Sequence, residues 1–110
     1  DRPVVLELNP SAIELVGSSE WEGQGYVVNV GLTAECAEEL GDFTVEHLGE
    51  LVEVRLAEGL SITARIMARV YSGQMQLPRF EDEDDALAAA AKLELAREEA
   101  AAGTCFLSSG

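Results

Sequence analysis

From Ile62 to Val70 the chain alternates without a break: Ile62, Ala64, Ile66, Ala68 and Val70 point one way, Thr63, Arg65, Met67 and Arg69 the other. A period of two is the signature of a β-strand with one dry and one wet face. Val4, Leu6 and Leu8 repeat the pattern, as do Val28, Val30 and Leu32 within Tyr26 to Leu32, and Val52, Val54 and Leu56. A shorter strand, Gln74 to Leu77, follows a Ser72-Gly73 turn, and Pro78 is expected to stop it. Strands that alternate in this way belong to antiparallel sheets covered on one face only.

Two segments carry the helical period instead. Thr33 is a natural N-cap for residues 34–42, with Cys36, Ala37, Leu40 and Phe43 on one face and Glu35, Glu38, Glu39 and Asp42 on the other. Thr44 is expected to restart a short turn that ends at Gly49. Asp82 caps a longer helix, roughly residues 83–102, with a stripe of Ala86, Ala89, Ala90, Leu93 and Ala96 ended by Gly103. Residues 11–25 read as an irregular connection with room for one helical turn. The expected fold is α+β, a two-layer sandwich of an antiparallel sheet of about four to five strands with two helices on one face.

The 110 residues suffice for one domain. Within it, residues 1–25 supply a first strand and lead-in, 26–102 the core and 103–110 a tail that docks through Phe106 or frays. Charge is unevenly distributed. Twenty-one acids against seven Lys and Arg give −14, yet residues 60–80 hold three arginines and no acid. Such a surface is repelled by phosphate backbones and anionic membrane faces, so nucleic acid is not an expected partner. No segment reaches the roughly 18 consecutive apolar residues that span a bilayer. The acid-free stretch is expected to form the central strand of a sheet face opposite the acidic helices.

The chain begins Asp1-Arg2-Pro3 without Met, as expected after removal of a signal segment or excision of a domain. Cys36 and Cys105 are compatible with one disulfide, which would close a loop of about 70 residues and contribute ~4 kcal/mol. The other reading is two separate thiols, one buried on a helix and one in the tail. Their spacing fits no metal motif.

From residue 26 onward the order of pieces resembles the periplasmic head subdomain of the SecD (SecDF) protein-export membrane proteins. Val28-Asn29-Val30-Gly31-Leu32 leads into the acid- and Ala-rich segment Ala34 to Asp42. Phe43-Thr44-Val45-Glu46-His47-Leu48-Gly49, the strands Val52 to Leu56 and Ile62 to Val70, and the Gly73-Gln74 step then follow in the family's order. Phe80 and Ala86-x-x-Ala89-Ala90-x-x-Leu93 close the unit, which covers about two-thirds of the chain. Glu50, Glu58-Gly59-Leu60 and Glu94-Leu95-Ala96 depart from the family's usual residues at those points. The resemblance implies a periplasmic, non-enzymatic module that contacts protein, either a preprotein or a Sec-type translocase component. The other reading is a small periplasmic ligand- or ion-binding protein that shares only the fold.

No catalytic, cofactor or metal site is expected. His47 is the single histidine, no nucleophile motif accompanies it, and it reads as a structural or surface residue. Glu81-Asp82-Glu83-Asp84-Asp85 lacks the glycine and spacing of a calcium loop and reads as a solvated helix start. Trp21 and Tyr26 read as a cap on the core. The partner-binding candidates are Arg55, Arg65, Met67 and Arg69, at strand spacing on the outer sheet face. There the three arginines could grip an acidic partner segment or pair with Glu53 across strands.

Overall fold

A computed structural model of the chain describes residues 2–70 and 72–109. Among them the fold is α+β, with two helices and seven strands in two sheets. The strands are β1 (Val4–Leu8), β2 (Ile13–Glu20), β3 (Tyr26–Leu32), β4 (Leu51–Arg55), β5 (Ser61–Arg65), β6 (Gln74–Phe80) and β7 (Phe106–Ser109). The helices are α1 (Ala34–Glu46) and α2 (Glu83–Glu99).

The layering agrees in outline with expectation, while the strands are divided differently. One sheet runs β5-β4-β1-β7 and the other β2-β3-β6. β1 lies parallel to β4, with Leu6 opposite Val54, and every other pairing is antiparallel. The inner faces share one core that holds Leu6, Leu8, Val28, Val30, Val52 and Val54 together with Leu40 of α1 and Leu93 of α2.

Several expectations are corrected. Residues 13–20 are not irregular but form β2, whose only partner among the described residues is β3. An edge strand takes its hydrogen bonds from one neighbour and needs no strict apolar alternation, so Gly17-Ser18-Ser19 carried no strand signal. The helical turn of that region is a 3-10 turn at Pro10–Ala12, where the Asn9 side chain accepts from the Ser11 N–H. The helix does not restart at Thr44. α1 continues to Glu46 because the Thr44 hydroxyl turns back onto the Gly41 carbonyl at 2.7 Å rather than capping a new turn.

β6 runs through Pro78 instead of stopping there. β6 is an edge strand, where the missing N–H costs no ladder bond, and its register against β3 shifts between Leu77 and Phe80. α2 ends at Glu99, short of Gly103, because Ala100 is already extended. The tail neither docks through Phe106 alone nor frays. Residues 106–109 form β7 on β1, with Leu8 opposite Phe106, and Gly110 lies outside the described residues. No helix among the described residues is long and apolar enough to cross a membrane.

Candidate functional site

The candidate surface is the β4–β5 hairpin and the segment that leaves it. Its turn closes where the Leu56 N–H donates to the Leu60 carbonyl at 2.7 Å and the Leu60 N–H to that of Ala57 at 3.1 Å. The register sets Glu53 opposite Thr63 and Arg55 opposite Ser61, so Glu53, Arg55, Thr63 and Arg65 share the outer face. Val52, Val54, Ile62 and Ala64 share the inner one.

The long strand expected from Ile62 to Val70 ends at Arg65. One more rung follows, in which the Ile66 N–H donates to the Glu50 carbonyl and the Gly49 N–H to that of Ile66. The chain then leaves the sheet for α1. Thr44, buried on that helix, accepts the Val70 N–H on its hydroxyl at 3.1 Å. Gly41 makes this crossing possible, since a Cβ there would lie 2.8 Å from the Val70 carbonyl oxygen and 2.9 Å from the Arg69 guanidinium. Period alone could not reveal the break, because Ile66 and Val70 remain apolar where they pack beside the helix.

The arginines are therefore not gathered on one face. Arg55 and Arg65 stand four positions apart along the hairpin, about 13 Å at 3.3 Å per residue. Arg55 Nε lies 3.4 Å from Glu53 Oε2, and Arg65 Nη1 donates to the Gly49 carbonyl at 2.6 Å. Arg69 has turned to the helix layer, where Nη1 pairs with Asp42 Oδ1 at 2.9 Å. Met67, between Arg65 and Arg69, projects into solvent with 79% of its surface exposed.

A feature without a local sequence signal lies behind the hairpin. β5 and β6 are facing edges of the two sheets, and between them opens an apolar cleft of about 120 Å³. Ile62, Ile66 and Val70 line one side, Met75 the other, and Leu40 and Phe43 of α1 the floor. Its borders come from residues 60–80, the acid-free stretch. That stretch was expected at the centre of a sheet, but β5 is an edge, because β4 finds its second partner in β1.

The remaining candidates lie elsewhere. Cys36 and Cys105 are joined in a disulfide with Cα atoms 5.5 Å apart, which ties α1 to the segment before β7. Asn9 holds the same segment, its N–H donating to the Cys105 carbonyl and its Nδ2 to that of Thr104. His47 caps α1, lies 2.9 Å through Nδ1 from Glu50 Oε2, and stacks at 4.3 Å on Phe43. Tyr26 packs against the core, but Trp21 does not cap it. At 44% exposure Trp21 sits at the β2–β3 hairpin tip with the Arg79 guanidinium 6.0 Å from its ring. The Glu81 to Asp85 carboxylates are all exposed, and among the described residues no group of three or more His, Cys, Asp or Glu could hold a metal ion.

No protein-family model matches the chain, and neither a curated protein nor a solved structure is significantly similar to it.

Proposed function

We propose that the chain is a non-enzymatic extracytoplasmic protein-interaction module of the kind the SecD head subdomain represents. In this reading it contacts preprotein or translocase components during export, through the β4–β5 hairpin and the cleft behind it. One observation supports it above the others. The longest acid-free stretch of a chain of −14 borders an apolar cleft and includes a sheet edge, β5.

An emerging preprotein segment offers extended backbone and intermittent apolar side chains. β5 offers edge N–H and C=O groups for backbone pairing. The cleft has room of the order of one large apolar side chain, given that a cavity of about 150 Å³ takes a benzene molecule. Arg55, Arg65 and the exposed Met67 surround this edge, and Arg69 braces its exit against α1. The surrounding acids repel nucleic acid and anionic lipid without closing the cleft.

The test is a photo-crosslinking amino acid in place of Met67, in the native envelope with a translocation-arrested preprotein. Adducts with the preprotein or a Sec component are expected from position 67 and not from a control position on α1, Glu35. Equal labelling from both positions, or adducts containing neither partner, would refute the reading.

The cleft also bears on the second reading, a small periplasmic ligand-binding protein. An apolar small molecule retained by the purified protein in native mass spectrometry, and lost when Ile66→Trp fills the cleft, would favour it.

A further inference from the structure

α2 is apolar on two sides. Its inner residues Ala86, Ala89, Ala90 and Leu93 are buried in the core. On the outer side Leu87, Ala88, Ala91 and Leu95 are all exposed, Leu87 at 49% and Leu95 at 55%. Leu87, Ala91 and Leu95 follow at i, i+4 and i+8, so they form a continuous strip along two turns. In a chain of −14 an outward helix face would ordinarily be charged throughout. Here Asp84 stands one turn before Leu87 and Glu98 and Glu99 one turn after Leu95, while Glu94, on the flank of the strip, is paired with Arg97 at 3.1 Å.

That arrangement selects among possible occupants. A second copy fits poorly. Antiparallel pairing about Ala91 sets Leu87 against Leu95 but also Asp84 against Glu98 and Glu83 against Glu99, while parallel pairing sets each acid near itself. Like charges so placed repel, and so do two chains of −14. An anionic membrane surface is disfavoured for the same reason.

We infer that the outer face of α2 docks a basic amphipathic helix of a partner protein. Its apolar centre would cover Leu87, Ala91 and Leu95, and Lys or Arg at both ends would meet Asp84 and the Glu98–Glu99 pair. The two acidic ends are fourteen positions apart, about 21 Å along the axis at 1.5 Å per residue, so the partner helix spans about four turns. This surface is distinct from the cleft and does not depend on the export reading.

The test uses the full chain and a labelled helical peptide of about 20 residues, with leucines at i, i+4 and i+8 and Lys pairs at both ends, read by fluorescence anisotropy. Saturable binding at low salt that weakens as salt rises is expected. Leu87→Ser/Leu95→Ser should weaken it at least tenfold. Asp84→Lys/Glu98→Lys/Glu99→Lys should weaken it similarly and shift preference to a peptide with Glu pairs at its ends. An unchanged urea midpoint in both variants shows that folding is intact. Four results would overturn the inference. These are no binding up to about 1 mM peptide, equal binding by the leucine variant, equal binding of Lys- and Glu-ended peptides, and a wild-type dimer in sedimentation that the leucine variant abolishes.

Discussion

The hydroxyl of Thr44 joins two segments that lie 26 residues apart, accepting the Val70 N–H at 3.1 Å while donating to the Gly41 carbonyl at 2.7 Å. Thr44 is 2% exposed, so water cannot readily replace either bond. The contact fixes where the chain leaves β5 and thereby helps to hold one wall of the cleft.

Thr44→Val keeps the shape of the side chain and removes the hydroxyl, leaving the Val70 N–H without its acceptor. The expected cost is about 1–3 kcal/mol, read as a lower urea midpoint. Thr44→Ser keeps the hydroxyl and should cost only about 1 kcal/mol for the lost methyl. Equal midpoints for wild type and the valine variant would show that the clamp contributes nothing.

Reduction of Cys36–Cys105, or the Cys36→Ala/Cys105→Ala variant, should destabilise the fold by about 2–4 kcal/mol, since the bridge closes a separation of 69 residues. The two Asn9 hydrogen bonds to the Thr104–Cys105 backbone persist, so β7 should remain paired with β1 in the reduced protein. Hydrogen exchange at Phe106 and Leu107 checks this, and loss of protection there without global unfolding would mean the disulfide alone retains β7.

The two sides of α2 should respond differently to truncation. Leu93 has 0% exposure, and Leu93→Ala should cost about 2–5 kcal/mol. Leu87→Ala, on the outer strip, should leave the midpoint within about 0.5 kcal/mol of wild type. A large loss from Leu87→Ala would place that face in the core of the folded protein.

Gly73 has φ +66°, and a Cβ there would collide with the Ala37 side chain. Gly73→Ala thus meets both backbone strain and a clash with α1, at a cost above 2 kcal/mol by order of magnitude. Gly59, with φ +76° and open space around it, provides the comparison. Gly59→Ala should cost only about 1 kcal/mol for the backbone term. Equal thermal midpoints for the two variants would contradict the close approach of Gly73 to α1.

Much of the secondary structure was legible because local period reports which side chains face the core. The alternation of Val28, Val30 and Leu32 and the inner stripe of α2 are where period places them. The missed strand segments share one cause. β2, β7 and the far half of β6 are edge strands, held by backbone bonds to one neighbour and free of the demand for alternation. The opposite error, extending β5 to Val70, arose because apolar residues beside α1 continue the rhythm of a strand after the sheet has ended.

The candidate surface divides in the same way. Residue types and charge were readable, including the acid-free stretch 60–80 and the cysteines that left two readings open. Period and charge by themselves determined the α+β class, the buried sides of the helices and the minority sign of that stretch. Only the tertiary structure decided that Arg69 faces α1 and Arg55 the sheet, that Cys36 meets Cys105, and that an apolar cleft opens between β5 and β6. Local pattern states which way a side chain points, whereas convergence of distant segments depends on long-range pairings such as β1 with β4 and Thr44 with Val70. Those pairings are made of backbone groups and one buried hydroxyl, which leave no periodic trace in the chain.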